Sequence, residues 1–540
     1  MGNLFQNVSD HEIVRIDPTQ AGRPEATGIS SRLTFIFGSL ATASLLCVLY
    51  FWRLDQSPPY LNQDEAGFGL ASFLLSTTGR DYYHNLLPVY VGYFENHQLG
   101  GAMLAFWGIP FIKAVGISVD SLRISMATVG MISLALFAFL GWRLSGNRWV
   151  SLAGVWILAT SPLFFIQSRV FLELLLPVPF VIGWLISIVE FERQKDERLL
   201  LFASVILGLG FYSYGTARMI MPVYLGVTLV VYRLKGACSW RTFAGAVGIH
   251  GLMMMPAVAF ALQNPGLYLA RFEGLSWLTG GLTFSSIVTT YLHHYLACLD
   301  PTDLFITGDS SLVHSTGRAG VYMLASLPLA VVGSAWLTSR AVLKRDTLSI
   351  QLLLAFVLFP TPLALLEEVH APARATYAVP AYALICVIGL MIVTRLCRSN
   401  HLARLALAML ALAYAVEVGE FFGDYFGGYP ARAVEAGDFN GNKPAAFRLL
   451  LQDAPAGEVF FDFEDTTSLT YANFFSAEYG YHGRIRPAPP SCGKDLPAGA
   501  RVLTLRPKDY GGSFKEIAVA PEIVPGAPTY AIITKRGPAR

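Results

Sequence analysis

Charge is scarce in this chain. Of its 540 residues only 14% are Asp, Glu, Lys or Arg, against roughly 25% in soluble domains, while 54% are hydrophobic. So little charge cannot clothe a soluble surface, and the apolar excess has to face lipid. The two signs nearly cancel, 39 Lys and Arg against 37 Asp and Glu, so the sequence offers no basic surface for nucleic acid. Cysteine is sparse too. Of six, only Cys298 and Cys492 fall outside the membrane on the oxidising face, and their spacing does not fix whether they pair. Fixed-period repeats and low-complexity tracts are missing. Recognised metal-ligand spacings such as His-Glu-x-x-His are absent as well, so the residues require no cofactor, although acidic loops leave a divalent metal possible.

What is present is a series of uncharged apolar runs, at residues 33–52, 124–142, 149–166, 174–189, 199–211, 219–232, 242–262, 319–338, 347–366, 375–394 and 405–416. Each approaches the roughly 20 residues a helix needs to cross about 30 Å of hydrocarbon, which predicts eleven spans. Midway along them no carboxylate, lysine or arginine occurs, and only His250 is ionisable. Ion-coupled transporters place such groups at the midplane, so the absence argues against a pump or symporter.

The first run follows about thirty polar residues and lacks a small-residue cleavage site, so it reads as an anchor with a cytoplasmic tail before it (1–32). Arginine and lysine then cluster on the predicted inside: Arg143 and Arg148; Arg193, Lys195 and Arg198; Arg233, Lys235 and Arg241; Arg340, Lys344 and Arg345; Arg395, Arg398 and Arg404. Three short outside loops carry one arginine each, Arg169, Arg218 and Arg374. The expected product is a polytopic α-helical protein of the cell inner (plasma) membrane with a transmembrane domain over 33–418. Two long outer loops interrupt it, at 53–123 and 263–318. Residues 419–540 hold 13 Lys or Arg and 14 Asp or Glu, with short β-like runs at 458–463, 501–505 and 530–534 between Pro and Gly. They predict a small extracytoplasmic α/β domain, one that shapes acceptor access and supplies no catalytic group. A cut after Glu420 is then expected to spare donor binding.

The chemistry is placed at the outer surface. Asp64 and Glu65 open a helical segment in Asn62-Gln63-Asp64-Glu65; adjacent carboxylates diverge on a helix, so at most one meets a substrate directly. One is either a general base or, with its neighbour, a complement to the helix dipole. Arg169, Arg218 and Arg374 either snorkel as anchors or converge to hold an anionic head group in bidentate fashion. Tyr212 and Tyr214 fit an interfacial belt or the site. Glu173 follows Arg169 by four residues, the spacing of an intrahelical ion pair. His293, His294, Asp300, Asp303, Asp309, His314 and Arg318 read as a solvated polar loop.

Several motifs recur in a familiar order: Asp64-Glu65 after the first span, Gly79-Arg80-Asp81 with Leu87-Pro88 behind, Ser121-Leu122-Arg123, Ser161-Pro162 then Ser168-Arg169, Gly210-Phe211-Tyr212-Ser213-Tyr214 before Ala217-Arg218, and Leu304-Phe305-Ile306-Thr307-Gly308-Asp309 with His314. Over roughly residues 55 to 382 this order resembles the bacterial branch of the dolichyl-phosphate-mannose protein mannosyltransferase family, membrane enzymes of the GT-C class. The resemblance implies a GT-C fold and inverting transfer of a monosaccharide from a polyprenyl-phosphate donor to an acceptor hydroxyl on a protein, lipid or glycan. It places the catalytic base at Asp64 with Glu65 beside it, so that Asp64→Asn is expected to be more damaging than Glu65→Gln. The donor phosphate falls to Arg169, Arg218 and Arg374. Substrate contacts fall to Asp81, Glu95, Glu173, Tyr214, His314 and Arg318. Relatives often carry Lys-Pro-Pro where this chain has Glu95-Asn96-His97-Gln98, which puts His97 in the place of a phosphate-touching lysine. A non-catalytic lipid-linked sugar binder or flippase is the rival reading; it would need the arginines but not Asp64. A scaffold that merely presents the tail would need neither.

Overall fold

The computed structural model describes residues 29–92, 99–278, 280–437, 439, 442–452, 458–462, 468–481, 485–488, 495–520 and 529–536. Its helices are α1 (Ile29–Phe51), α2 (Gln63–Thr78), α3 (Ala102–Val115), α4 (Val119–Ser145), α5 (Arg148–Ala159), α6 (Pro162–Gln167), α7 (Pro177–Gln194), α8 (Arg198–Gly210), α9 (Ala217–Leu234) and α10 (Trp240–Gln263). There follow α11 (Pro265–Glu273), α12 (Phe284–Ala297), α13 (Leu327–Leu343), α14 (Thr347–Val357), α15 (Pro360–Leu363), α16 (Val379–Leu396) and α17 (His401–Phe426). The first outer loop holds a short hairpin, β1 (Tyr90–Gly92) and β2 (Leu99–Gly101).

Among the described residues, eight helices are long and apolar enough to cross a membrane by themselves. Three of the eleven expected spans are shorter. The run at 149–166 breaks into α5 and α6 before Pro162, whose ring cannot donate into a helix, and the run at 347–366 breaks likewise before Pro360. The third, α8, has 13 residues. These pieces still connect the two ends of the bundle. At one end Arg143 at the close of α4 pairs with Glu190 of α7; at the other, Arg123 near the start of α4 pairs with Glu65, and Arg169 after α6 reaches the carbonyls that follow α1. Traced by such contacts, the chain runs end to end in α1, α4, α5 with α6, α7, α8, α9, α10, α13, α14 with α15, α16 and α17. The segment after α1 touches the segment after α17, so the number of passes must be odd, which eight alone would not satisfy.

The tightest crossing is α13 on α16. A Cβ at Gly333 would lie 2.1 Å from the Ile385 carbonyl oxygen, and one at Gly389 would lie 2.0 Å from that of Leu329. Only glycine lets two backbones meet so closely in lipid, where dispersion replaces the hydrophobic effect as the force between helices.

The last long helix continues to Phe426, eight residues past the expected end of the transmembrane domain. Beyond it lie α18 (Tyr429–Glu435), α19 (Asn442–Gln452), α20 (Ser468–Glu478) and the strands β3 (Val459–Asp462), β4 (Ile485–Pro487), β5 (Arg501–Thr504), β6 (Phe514–Val519) and β7 (Ala531–Lys535). The strands form one mixed sheet in the order β4-β3-β5-β7-β6, with β3 parallel to both neighbours and β7 antiparallel to both of its own. All three β-like runs read from the sequence become strands.

This small α/β domain is not a detachable module. Its α20 lies on α2: a Cβ at Gly69 would meet the Phe474 ring at 2.9 Å, and the Tyr471 hydroxyl donates to the Leu61 carbonyl at 3.1 Å. Tyr429 donates to the Leu312 carbonyl at 2.7 Å, and Arg432 to that of Thr316 at 3.0 Å, which ties the second outer loop down as well. The buried residues of α2 and α20 share one apolar core. This packing weighs against the expectation that a cut near Glu420 spares the donor site, because the cut strips the cover from the helix that carries Asp64. A chain ending at Phe426 should exchange the backbone amides of residues 66–75 at least about tenfold faster than the full chain, since local opening follows the loss of buried apolar contacts. Unchanged protection there, by hydrogen exchange with mass-spectrometric readout, would show that α20 does not hold α2.

Candidate active site at the mouth of the bundle

Asn62 caps α2. Its side chain accepts from the Asp64 amide at 2.8 Å, while Glu65 reaches back to the Asn62 amide at 3.0 Å, a capping box. The two adjacent carboxylates then part company. Glu65 is fully buried and accepts from Arg123 Nε at 3.0 Å, Arg123 Nη2 at 2.9 Å and the Phe171 amide at 3.0 Å. With both oxygens engaged, Glu65 is a brace and not a second catalytic group. Glu65→Gln, expected from the sequence to be the milder change, would leave the Arg123 guanidinium buried and unpaired, a loss of about 3–5 kcal/mol.

Asp64 sits one step round the helix and stays partly exposed. Burial raises its pKa, the positive field of Arg271 opposes that rise and the Glu65 charge adds to it. Glu173 lies within Coulombic range of Asp64, Arg271 and Arg218. Its carboxylate accepts from the Gly101 amide at the end of the hairpin. Gly101 has to be glycine: a Cβ there would lie 2.7 Å from the Glu173 carboxylate and 2.9 Å from the Tyr212 carbonyl oxygen. Arg218 stacks over the Tyr90 ring, 4.3 Å from its centroid, and lies 5.8 Å from that of Tyr268. Arg374 pairs with Glu368 at 2.6 Å, and its carbonyl accepts from Thr216 at 2.9 Å. Burial raises the Tyr214 phenol, whose charged neighbours are Arg374, Arg271, Glu173 and Asp309. One mouth thus gathers Asp64, Glu173, Tyr214, Arg218, Arg271, Arg374 and Asp309 from six separate stretches of chain.

Other expected site residues are used elsewhere. Arg169 is buried and spends all five N–H donors inward, on the carbonyls of Leu49, Tyr50, Trp52, Arg53 and Ser57 and on the Tyr425 hydroxyl. Nothing remains for a phosphate. The expected ion pair between Arg169 and Glu173 does not form, because α6 ends at Gln167 and the next residues leave helical geometry. Asp81 accepts from the Tyr83 and Asn85 amides and the Asn85 side chain, so it folds its own loop. His314 meets Gln167 Nε2 at 2.9 Å, and the exposed Arg318 lies 3.8 Å from Asp424 on α17. Glu95, His97 and Cys492 lie outside the described residues; Cys298 is a free thiol.

Sequence reasoning passed over Arg271, which lies on α11 in the second long loop and in none of the motifs that carry the resemblance. It also set Asp309 among solvated loop residues. Asp309 is in fact buried, and its two oxygens accept from the Ser311 and Ala373 amides, each at 3.0 Å, which fastens the second outer loop to the segment bearing Arg374. Among the described residues, no group of three or more His, Cys, Asp and Glu side chains could hold a metal ion.

No family model matches the chain, and no curated protein matches it. Solved structures do. ArnT from Cupriavidus metallidurans bound to undecaprenyl phosphate is similar with a TM-score of 0.55 at 12% identity, over 93% of this chain and 99% of that one. The archaeal oligosaccharyltransferase AglB from Archaeoglobus fulgidus, in complex with an inhibitory peptide and a dolichol-phosphate, is similar with a TM-score of 0.52 at 13% identity, over 89% of this chain and 70% of that one. The likeness shows the fold, that of GT-C membrane proteins, with a small sheet domain at the C-terminus.

Burial pushes the Asp309 carboxyl up to about 6, against the pull of its two amide donors and of Arg374 and with a push from Glu368. A carboxyl raised in the folded state favours folding when protonated. Its contribution, on the order of 3 kcal/mol, is fully present below about pH 4 and lost as pH rises through about 6. Melting curves from pH 4 to 7 should therefore lose part of their slope in Asp309→Asn. An identical slope in variant and parent would remove Asp309 as its source.

Proposed function

We propose that this chain is an inverting membrane glycosyltransferase that moves a monosaccharide from a polyprenyl-phosphate donor to an acceptor hydroxyl on the extracytoplasmic side of the plasma membrane. The observation that carries the reading is the division of labour at the start of α2, where Glu65 is consumed by Arg123 while Asp64, its pKa raised, faces a mouth lined by Arg271, Glu173 and Arg218. A carboxylate whose pKa moves toward neutrality is the better general base. The fold neighbours whose structures hold undecaprenyl phosphate and dolichol-phosphate support a lipid-phosphate donor. The ordered motifs that resemble the dolichyl-phosphate-mannose protein mannosyltransferases support transfer of a single sugar. The arginine and lysine excess at the opposite end of the bundle supports an extracytoplasmic site.

In this mechanism Asp64 takes the proton of the acceptor hydroxyl as its oxygen attacks the anomeric carbon. The bond from that carbon to the phosphate oxygen breaks, and the lipid phosphate leaves with the electron pair. Arg218, Arg374 and Arg271 supply the positive charge that meets the phosphate, Arg374 by exchanging its exposed partner Glu368 for the donor. Glu173 and Tyr214 orient the sugar or the acceptor. Positioning and phosphate stabilisation supply most of the rate, since a placed base contributes about 10²- to 10⁴-fold.

Asp64→Asn should keep the fold and donor binding while turnover falls at least about a hundredfold, read as release of lipid phosphate from radiolabelled polyprenyl-phosphate sugar by purified protein. Near-normal turnover would eliminate Asp64 as base, and the absence of any release by the parent protein with bound donor would favour a binder or flippase. Arg218→Ala, Arg271→Ala and Arg374→Ala should each weaken donor binding about tenfold, the ordinary worth of one charge-assisted phosphate contact. If all three bind donor like the parent, the guanidinium groups serve the protein's own aromatics and carboxylates.

A further inference from the structure

At the end of the bundle away from this mouth, α1 is scarcely packed. It leans on α4 and α5 along only part of its length, and a cavity of about 470 Å³ separates the three helices. On α1 the cavity runs from Phe35 to Leu46. At 1.5 Å per residue that is about 16 Å, half of a hydrocarbon core of about 30 Å. The slot therefore has the depth of one leaflet.

Its walls are almost wholly apolar, with Leu134, Ala135 and Leu152 among them, and its mouth is not. There Arg148 stands exposed between the Phe35 and Trp142 rings, 5.5 and 6.0 Å from their centroids. The neighbouring Arg143 is neutralised by Glu190, but among the described residues no carboxylate pairs with Arg148. The Ser39 hydroxyl, part of the slot wall, is buried and lacks a hydrogen-bond partner among the described residues. An unpaired guanidinium at head-group level, held by interfacial aromatics above a leaflet-deep apolar slot, complements one kind of molecule. It needs a phosphate at one end and a hydrocarbon chain no longer than a leaflet.

We infer that the slot between α1, α4 and α5 binds an anionic glycerophospholipid, its phosphate on Arg148 and one acyl chain along Ser39 and Leu134. The site is separate from the proposed donor site and lies at the opposite end of the bundle, so the two can be filled at once. It gives α1 the packing partner that the described residues do not supply.

The test uses the full chain in a neutral detergent, titrated separately with palmitoyl-oleoyl phosphatidylglycerol, palmitoyl-oleoyl phosphatidylcholine and undecaprenyl phosphate, with bound lipid counted by native mass spectrometry. Phosphatidylglycerol should be retained at least about tenfold more tightly than phosphatidylcholine, and Arg148→Gln should erase that difference. Arg148→Lys should keep part of it, and Ala135→Phe, which fills the slot from its lipid-exposed side, should weaken both phospholipids. Lipid-free melting temperatures equal to the parent's establish that the variants fold. An undiminished phosphatidylglycerol preference in Arg148→Gln would overturn the inference. So would unchanged binding in Ala135→Phe, or displacement of phosphatidylglycerol by undecaprenyl phosphate in the parent but not in Ala135→Phe, which would make the occupant a polyprenyl chain.

Discussion

The mouth of the bundle depends on one buried ion pair, Glu65 with Arg123. Neither side chain has any exposure, and each uses its remaining hydrogen-bonding capacity on backbone: Glu65 on the Phe171 and Asn62 amides, Arg123 on the carbonyls of Leu54, Pro58 and Tyr60. Two charges taken out of water in this way gain little net stability over a well-packed apolar pair, and losing either partner is costly. What such a pair specifies is register. It ties the start of α2 to α4, to the loop after α1 and to the chain after α6, and so sets where Asp64 points.

Arg169 repeats the device, again by feeding a guanidinium into a ring of carbonyls, here from the last turn of α1 and the loop after it. The first outer loop is thereby held from two sides by arginines that never meet solvent. A long surface loop would otherwise be free to move. Here it is fastened to the end of the bundle, and its hairpin is held in turn by the Gly101 amide on Glu173.

The spans were legible because their signal is composition over some twenty residues, and the three that break at proline or run short are those in which composition outlasts helix. The tail strands were legible from β-branched and aromatic runs between Pro and Gly. The site was legible only in part. Asp64 carries a signal, a carboxylate at a helix start after the first span, but nothing local separates Arg169, which turns inward, from Arg218 and Arg374, which do not. That distinction depends on carbonyls contributed by residues more than a hundred positions away. Arg271 and Asp309 were obscured for the same reason: their importance comes from neighbours in space, and a long polar loop conceals which of its members fold inward.

The contact of α20 with α2 also bears on how the protein is made. The helix that carries Asp64 leaves the ribosome early and its cover about 400 residues later, which at ~5–20 residues per second is a delay of ~20–80 s. During that interval every later span must be inserted, and Asp64 waits on a helix with one face bare. Until its last segment has been delivered, a nascent chain lacks the residues that pack on α2. A chain abandoned before the final hundred residues has Asp64, Arg218 and Arg374 but not the apolar wall that α20 lays against α2.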